Sequence, residues 1–122
     1  MALETLKGLD EIGGYKVIRG KPEEMGWDEF DEYRKEFPIH ISEHMNTVSV
    51  RIQDGPIKEV GVNGAQLDTL VEIAVLMIKG LNAKFPCREN SIAVTKFEEG
   101  LMWLDKRKKD REKRGVEGHN KA

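Results

Sequence analysis

Cysteine is almost absent from this chain: Cys87 stands alone among 122 residues. No internal disulfide can form, and a reducing cytosol is the expected setting. Aromatic residues are scarce, at 7%. No apolar run reaches the ~20 residues that a membrane span needs. No secretory leader is read at the start, because Glu4 and Asp10 stand where a basic region would be. A Walker loop and a GxGxxG are both missing, and no nucleophile–histidine–acid set declares itself. His40, His44, His119 and Cys87 are candidate metal ligands by type. Their spacing follows no zinc pattern, so coincidence is the simpler reading and no metal or other cofactor is expected.

What is present is charge, unevenly placed. Charged residues make up 34% of the chain with a formal net charge of −2. Residues 1–44 hold eleven acids against six bases, so the remainder is net basic. The acidic front can pair with the basic tail, in one chain or between neighbours, or both can be solvated faces. The length fits one compact domain with a thin core, for which packing against copies of itself would help.

The chain reads as α+β in two stretches. Residues 1–45 form an acidic part of mixed short elements. Tyr15–Arg19 suits a strand after the Gly13-Gly14 break. Pro22 then suits a first helical position, ahead of an apolar stripe of Trp27, Phe30 and Phe37 that Arg34 interrupts. Residues 46–122 are expected to hold a β-hairpin and a helical hairpin. Val48, Val50 and Ile52 alternate with polar residues, Asp54-Gly55-Pro56 turns, and Ile57 to Val62 returns as a second strand. A helix then runs from about Gln66 to Ala83. Its apolar residues, among them Val71, Ile73, Leu76, Met77 and Ile78, cover more than one face and predict an oligomer. The short loop to Pro86 sends the next helix back antiparallel. In it Val94, Phe97, Leu101 and Leu104 repeat at three- and four-residue spacing. Gly100 in mid-helix costs about 1 kcal/mol relative to Ala, which a close helix crossing usually offsets.

The candidate chemistry lies along this second helix. It ends in Lys106, Arg107, Lys108, Lys109, Arg111, Lys113 and Arg114 before Gly115. Complementing the helix dipole at ~0.3–1 kcal/mol each accounts for a few of these cations. Arg107, Arg111 and Arg114 share one face, and their planar forks suit phosphate oxygens. Phe85 is either a plug under the hairpin or, if exposed, a platform for a nucleobase. Arg88 opposes the dipole at the helix start, a conflict that an anion or acidic partner would relieve. Asn90 and Ser91 beside it are either caps or ligand contacts. For the ligand that the resemblance below implies, Asp54 or Glu89 can accept ribose hydroxyls. Glu98 and Glu99 read as salt-bridge partners, Glu99 with Lys96 and Glu98 with Lys106 of a neighbour.

Three segments carry a resemblance: Arg51–Gly64 (RIQDGPIKEVGVNG); Phe85-Pro86-Cys87-Arg88-Glu89-Asn90-Ser91, with Thr95-Lys96 and Trp103-Leu104; and Arg114-Gly115-Val116-Glu117-Gly118. Over residues 46–118 the chain resembles the first-described Thoeris anti-defence family of phages. Its helical hairpin is similar to that of the phage anti-CBASS cyclic-nucleotide sponges. The resemblance implies a non-enzymatic sponge in the cytoplasm of the infected host. Such a sponge holds the signal of bacterial TIR-domain proteins, a glycocyclic ADP-ribose isomer, without cleaving it. Some family members also hold cyclic di- or trinucleotides at separate sites in a hexamer. Phe85, Arg88, Asn90, Arg107, Arg111 and Arg114 are the ligand-binding candidates, a small cyclic nucleotide and further copies of the chain the expected partners. A nucleic-acid-binding regulator using the basic helix is an alternative, which the acidic front argues against. A nucleotide hydrolase is another, which the lack of a catalytic set argues against.

Overall fold

The computed structural model describes residues 6, 9–19, 26–42 and 47–119. The chain order is β1 (Glu11–Ile12), β2 (Tyr15–Arg19), α1 (Trp27–Glu36), β3 (Ile39–Ser42), β4 (Thr47–Val50), α2 (Ile57–Val60), α3 (Leu67–Lys84) and α4 (Arg88–Lys113). The expected α+β class holds, with a helical hairpin following a small sheet.

The four strands lie in sequence order. β1 and β2 form a tight antiparallel hairpin on Gly13-Gly14, whose φ angles of 59° and 83° are those a two-residue hairpin loop requires. β2 pairs parallel to β3, with Val17 opposite Ile39, and α1 is the crossover between them. β3 pairs antiparallel to β4, with Ile39 opposite Val50 and Ile41 opposite Val48. Ile12, Ile39 and Ile41 bury with Leu6 and with Ile73 of α3, and Leu76 and Met77 pack against them. α3 therefore lies on the sheet, and α4 packs on α3.

α1 starts one residue after Gly26, with Asp28 and Glu29 in its first turn. The proposed start at Pro22 lies outside the described residues. Arg34 does more than interrupt the stripe. It turns inward over the Phe30 ring and its Nη2 donates to the Pro38 carbonyl at 2.7 Å. Arg51 ties α1 to the end of β4 through the Asp31 carboxylate and carbonyl. The guanidinium holds the Asp31 carboxyl below its ordinary range.

The expected hairpin over 46–63 is corrected. β4 pairs with β3, and Ile57 to Val60 is a helical turn rather than a return strand. Pro56 has no amide hydrogen for a ladder, its carbonyl accepts from Val60 N–H at 2.9 Å, and Gly61 at φ 78° ends the turn. Side-chain amides supply the bonds that a ladder would have made. Gln53 donates to the Gly55 and Gly61 carbonyls at 3.1 and 2.9 Å and accepts from Asn63 N–H at 2.9 Å. Asn63 in turn bonds both the N–H and the carbonyl of Asp54, at 2.8 Å each. The loop closes where Ala65 N–H meets Arg51 O at 2.7 Å and Gln53 N–H meets Ala65 O at 2.8 Å.

The helical hairpin follows the expected bounds to within about a residue. Lys79–Glu98 at 3.7 Å and Asn82–Ser91 at 3.3 Å confirm that α3 and α4 run antiparallel. Glu99 pairs with Lys96 as expected, whereas Glu98 takes Lys79 of the same chain. Phe97 does not join the inner face but is exposed, as are Ile92, Met102 and Trp103. Gly100 meets no close crossing: a Cβ there would have nothing within 4 Å.

Two glycines give opposite expectations. A Cβ on Gly64 would stand 2.5 Å from the Ile52 carbonyl carbon, which cannot yield without opening the loop. Gly64→Ala is expected to destabilise by about 1–3 kcal/mol or more in urea unfolding. Gly100→Ala should stabilise by about 0.5–1 kcal/mol, as a helix-interior glycine replaced in open space. A loss of stability instead would place a second helix against that face.

Candidate functional site

α4 is 26 residues long, about 39 Å at 1.5 Å per residue. Its two ends carry the two halves of the candidate site.

At the first end, Phe85-Pro86-Cys87 links the helices. Phe85 is 61% exposed, so it is not a plug. Its carbonyl accepts weakly from Asn90 Nδ2 at 3.5 Å. The cap of α4 is Cys87, whose Sγ accepts from Asn90 N–H at 3.4 Å, and Asn82 Oδ1 fixes the Cys87 amide at 3.1 Å. The lone cysteine thus has a structural task that its scarcity did not suggest. Asn90 carries the capped amide, and its side chain stiffens the turn rather than capping it. Arg88 is exposed in the first turn of α4, and its side chain has no hydrogen-bond or ion-pair partner among the described residues.

At the other end, a groove of about 430 Å³ lies between the stapled loop, the start of α3 and the tail after α4. Ile52, Ile57 and Leu67 supply apolar surface, Arg107 and Arg111 supply cations, and Glu117, Gly118 and His119 form the tail side. A second cavity of about 200 Å³ shares Gln66, Leu67, Arg107 and Glu117 with it and continues to Asp105 and Lys108. Arg107 is exposed, and lies at the junction of the two cavities.

Arg111 lies near the C-terminal end of α4, yet it is not solvated. It is only 6% exposed. Its Nε donates to Glu117 Oε2 at 3.0 Å, and its Nη2 to the carbonyls of Val116 and His119 at 3.0 and 2.8 Å. Arg114 is the C-cap, exposed, with its amide bonded to Asp110 O, and it lines neither cavity. The structure thus brings Arg107 and Arg111 to one groove and leaves Phe85, Arg88 and Asn90 about 25–35 Å away along α4.

His40 on β3, Cys87 in the turn and His119 in the tail do not converge. Among the described residues no three His, Cys, Asp or Glu side chains cluster as metal ligands, and His44 lies outside them. Asp54 is exposed, with its backbone held by Asn63, and Glu89 is exposed in the first turn of α4. Sequence reading missed Gln53, Leu67 and the tail residues Glu117 to His119 as groove residues. The Val116-Glu117-Gly118 segment was a signal in the pattern, but no local periodicity says that it folds back.

A family model described as Acb2/Tad1, hairpin domain, matches residues 45–108, from the start of β4 to the cationic stretch of α4. The chain belongs to the Acb2/Tad1 hairpin-domain family. It is also similar to the protein named Thoeris anti-defense 1 of Bacillus phage SBSphiJ7, with 47% identity over 71 residues. That stretch is 57% of this chain and 50% of the relative, so the match spans about half the relative's length. The groove combines residues inside the family match, such as Gln53, Leu67 and Arg107, with tail residues beyond it. No helix among the described residues is long and apolar enough to cross a membrane.

Removing the Arg111 side chain leaves two carbonyls and a carboxylate without their donor. Arg111→Ala should therefore lower stability by about 1.5–3 kcal/mol in chemical denaturation. Arg107→Ala, at an exposed position, should change it by no more than about 0.5 kcal/mol.

Proposed function

We propose that this chain is a phage immune-evasion protein that captures a cyclic nucleotide signal and holds it without chemistry. The ligand class is a glycocyclic ADP-ribose isomer, with cyclic di- or trinucleotides as further cargo, and the place of action is the cytoplasm of the infected bacterium. The observation that carries the reading is the groove in which an exposed arginine, Arg107, borders apolar surface from Ile52, Ile57 and Leu67. Such a ligand has phosphates for guanidiniums and a flat base for apolar or aromatic surface. Membership of the hairpin family and the relative named for Thoeris anti-defence support the same reading. A sponge needs slow release and enough copies rather than turnover.

The six candidate residues then divide between two ends of one helix. Phe85, Arg88 and Asn90 can share a ligand with Arg107, Arg111 and Arg114 only if a second chain brings its turn to the first chain's tail. A two-fold assembly with antiparallel α4 helices does this and forms both pockets at once. Leu67, Leu70, Phe97, Met102 and Trp103 are exposed in the single chain and would be covered by such neighbours. At roughly 1.5–3 kcal/mol for each fully buried large side chain, the incentive to assemble is substantial. A hexamer is a larger form of the same arrangement.

The test is to saturate the protein with glycocyclic ADP-ribose, remove free ligand, denature by heat and identify what is released. Intact cyclic nucleotide is expected. Recovery of ADP-ribose or another linear product would replace the sponge with a hydrolase. Light scattering should give at least twice the 13.9 kDa of one chain. A monomer that retains full binding would rule out the shared pocket.

A further inference from the structure

We infer that Asn63 is a site of spontaneous covalent modification, deamidation through a succinimide, and that the side-chain amides of Gln53 and Asn63 keep it shut while the loop is closed.

Asn63 directly precedes Gly64. Asparagine before glycine is the pair most open to this reaction, because glycine places no side chain beside its own amide nitrogen. The Gly64 nitrogen attacks Cγ of Asn63 and gives its proton to solvent. The Cγ–Nδ2 bond breaks, and that nitrogen takes a proton from solvent and leaves as ammonia. Water then opens the cyclic imide. Cleavage at Cγ gives aspartate. Cleavage at the main-chain carbonyl gives isoaspartate, whose backbone runs through the side chain and is longer by a carbon.

The closed loop opposes the first step in two ways. Ring closure needs the carboxamide carbon to turn onto the Gly64 nitrogen. Both polar atoms of that carboxamide are engaged elsewhere: Oδ1 accepts from Asp54 N–H and Nδ2 donates to the Asp54 carbonyl, each at 2.8 Å. The Asn63 amide is itself fixed on Gln53 Oε1 at 2.9 Å. Ring closure also needs the backbone between Asn63 and Gly64 to swing. Gly64 is wedged there, since a Cβ on it would stand 2.5 Å from the Ile52 carbonyl carbon and 2.7 Å from the Arg51 oxygen. The next residue, Ala65, is tied by its amide to Arg51 O at 2.7 Å. Gln53 is the bolt on this arrangement, because its Nε2 also holds the Gly55 and Gly61 carbonyls at 3.1 and 2.9 Å. Asn63 is only half-buried and Asp54 is exposed, so water reaches the pair as soon as the loop opens. The gate is therefore local opening of the loop rather than unfolding of the whole chain.

The modified loop does not close again. Aspartate at 63 keeps an acceptor for Asp54 N–H but has no donor for the Asp54 carbonyl. Isoaspartate adds a carbon next to Gly64, where there is no room for one. Either product loosens the bridge between Arg51, Gln53 and Ala65 that joins β4 to the start of α3.

The experiment ages the full chain as wild type, Gln53→Ala, Gln53→Glu and Ile73→Val at one mildly alkaline pH, native and in guanidinium chloride. Peptide mass mapping follows deamidation at Asn63, and enzymatic methylation reports isoaspartate. The native wild type should deamidate about tenfold or more slowly than the denatured chain. Gln53→Ala should deamidate about fivefold or more faster than native wild type. Ile73→Val, which loosens the core but leaves the loop bonds in place, should not accelerate it. Gln53→Glu keeps the acceptor for Asn63 N–H and loses the donors, so it should follow the alanine variant and decides the matter if that variant does not fold. Amide exchange at Gln53 and Ala65 should quicken in the modified fraction of aged wild type. A native wild type that reacts within about threefold of the denatured chain would overturn the inference. Equal acceleration by Ile73→Val and the Gln53 variants would also overturn it, by making global unfolding the gate.

Discussion

Two backbone hydrogen bonds fix the start of α3, and most of the molecule follows from them. Ala65 accepts from Gln53 N–H and donates to Arg51 O, in a bridge that Gly64 permits by having no side chain. The end of β4 is thereby joined to the first turn of α3. From that point α3 crosses the sheet, with Ile73 in the core and Gly13 approaching Thr69 and Glu72. A three-residue link returns the chain as α4, which packs chiefly on α3. Moving the Gly64 contact would move the α3 axis, the α4 axis and the floor of the groove together.

The loop closed by that bridge does without a sheet ladder. Gln53 and Asn63 act as substitutes for backbone partners, satisfying amides and carbonyls of each other's segments. Buried or half-buried backbone groups need such partners. Each amide side chain offers both donors and an acceptor, so two residues can serve a loop that strands would have served with several. The result is an irregular loop held in one shape, which can present Gln53, Pro56 and Ile57 to a ligand from a fixed position. The tail bonds to that loop at Lys58, so a C-terminal segment with little core of its own is ordered by the loop and Arg111 jointly.

The helices were legible from the sequence because their signals are local. Apolar periodicity from Leu67 to Leu81, Pro86 in the link and Gly115 past the last turn mark the hairpin to about a residue. The strand of Tyr15–Arg19 was legible for the same reason, as an alternating segment after two glycines. The return strand at Ile57 to Val62 was misread because Ile, Val and a preceding Gly-Pro look like a hairpin. What decides against it is tertiary: β3 has already taken the partner edge of β4, and Gln53 and Asn63 compete for the backbone. Of the three arginines read as one face, Arg107 and Arg111 line one groove and Arg114 lines neither cavity, and spacing alone does not separate their environments. Spacing of four puts Arg107 and Arg111 together. Only the fold-back of Glu117, a long-range event, buries one and leaves the other open.

The length of α4 sets the remaining problem. A rigid helix of 26 residues holds Phe85 and Arg88 apart from Arg107 by a distance no nucleotide-sized ligand spans. One chain can therefore offer an aromatic and a cation at one end, or cations and an apolar groove at the other, but not both to one molecule. Exposed Phe97, Met102 and Trp103 lie between these ends on the same helix, where a second antiparallel α4 would have to pack to join them. Lys106 already covers the Trp103 ring at 5.1 Å, which lowers the cost of leaving that ring in water but does not remove it. In the proposed two-fold assembly, burial of that face and completion of the pocket are the same event. Affinity for the ligand and affinity between chains should be linked, each raising the other.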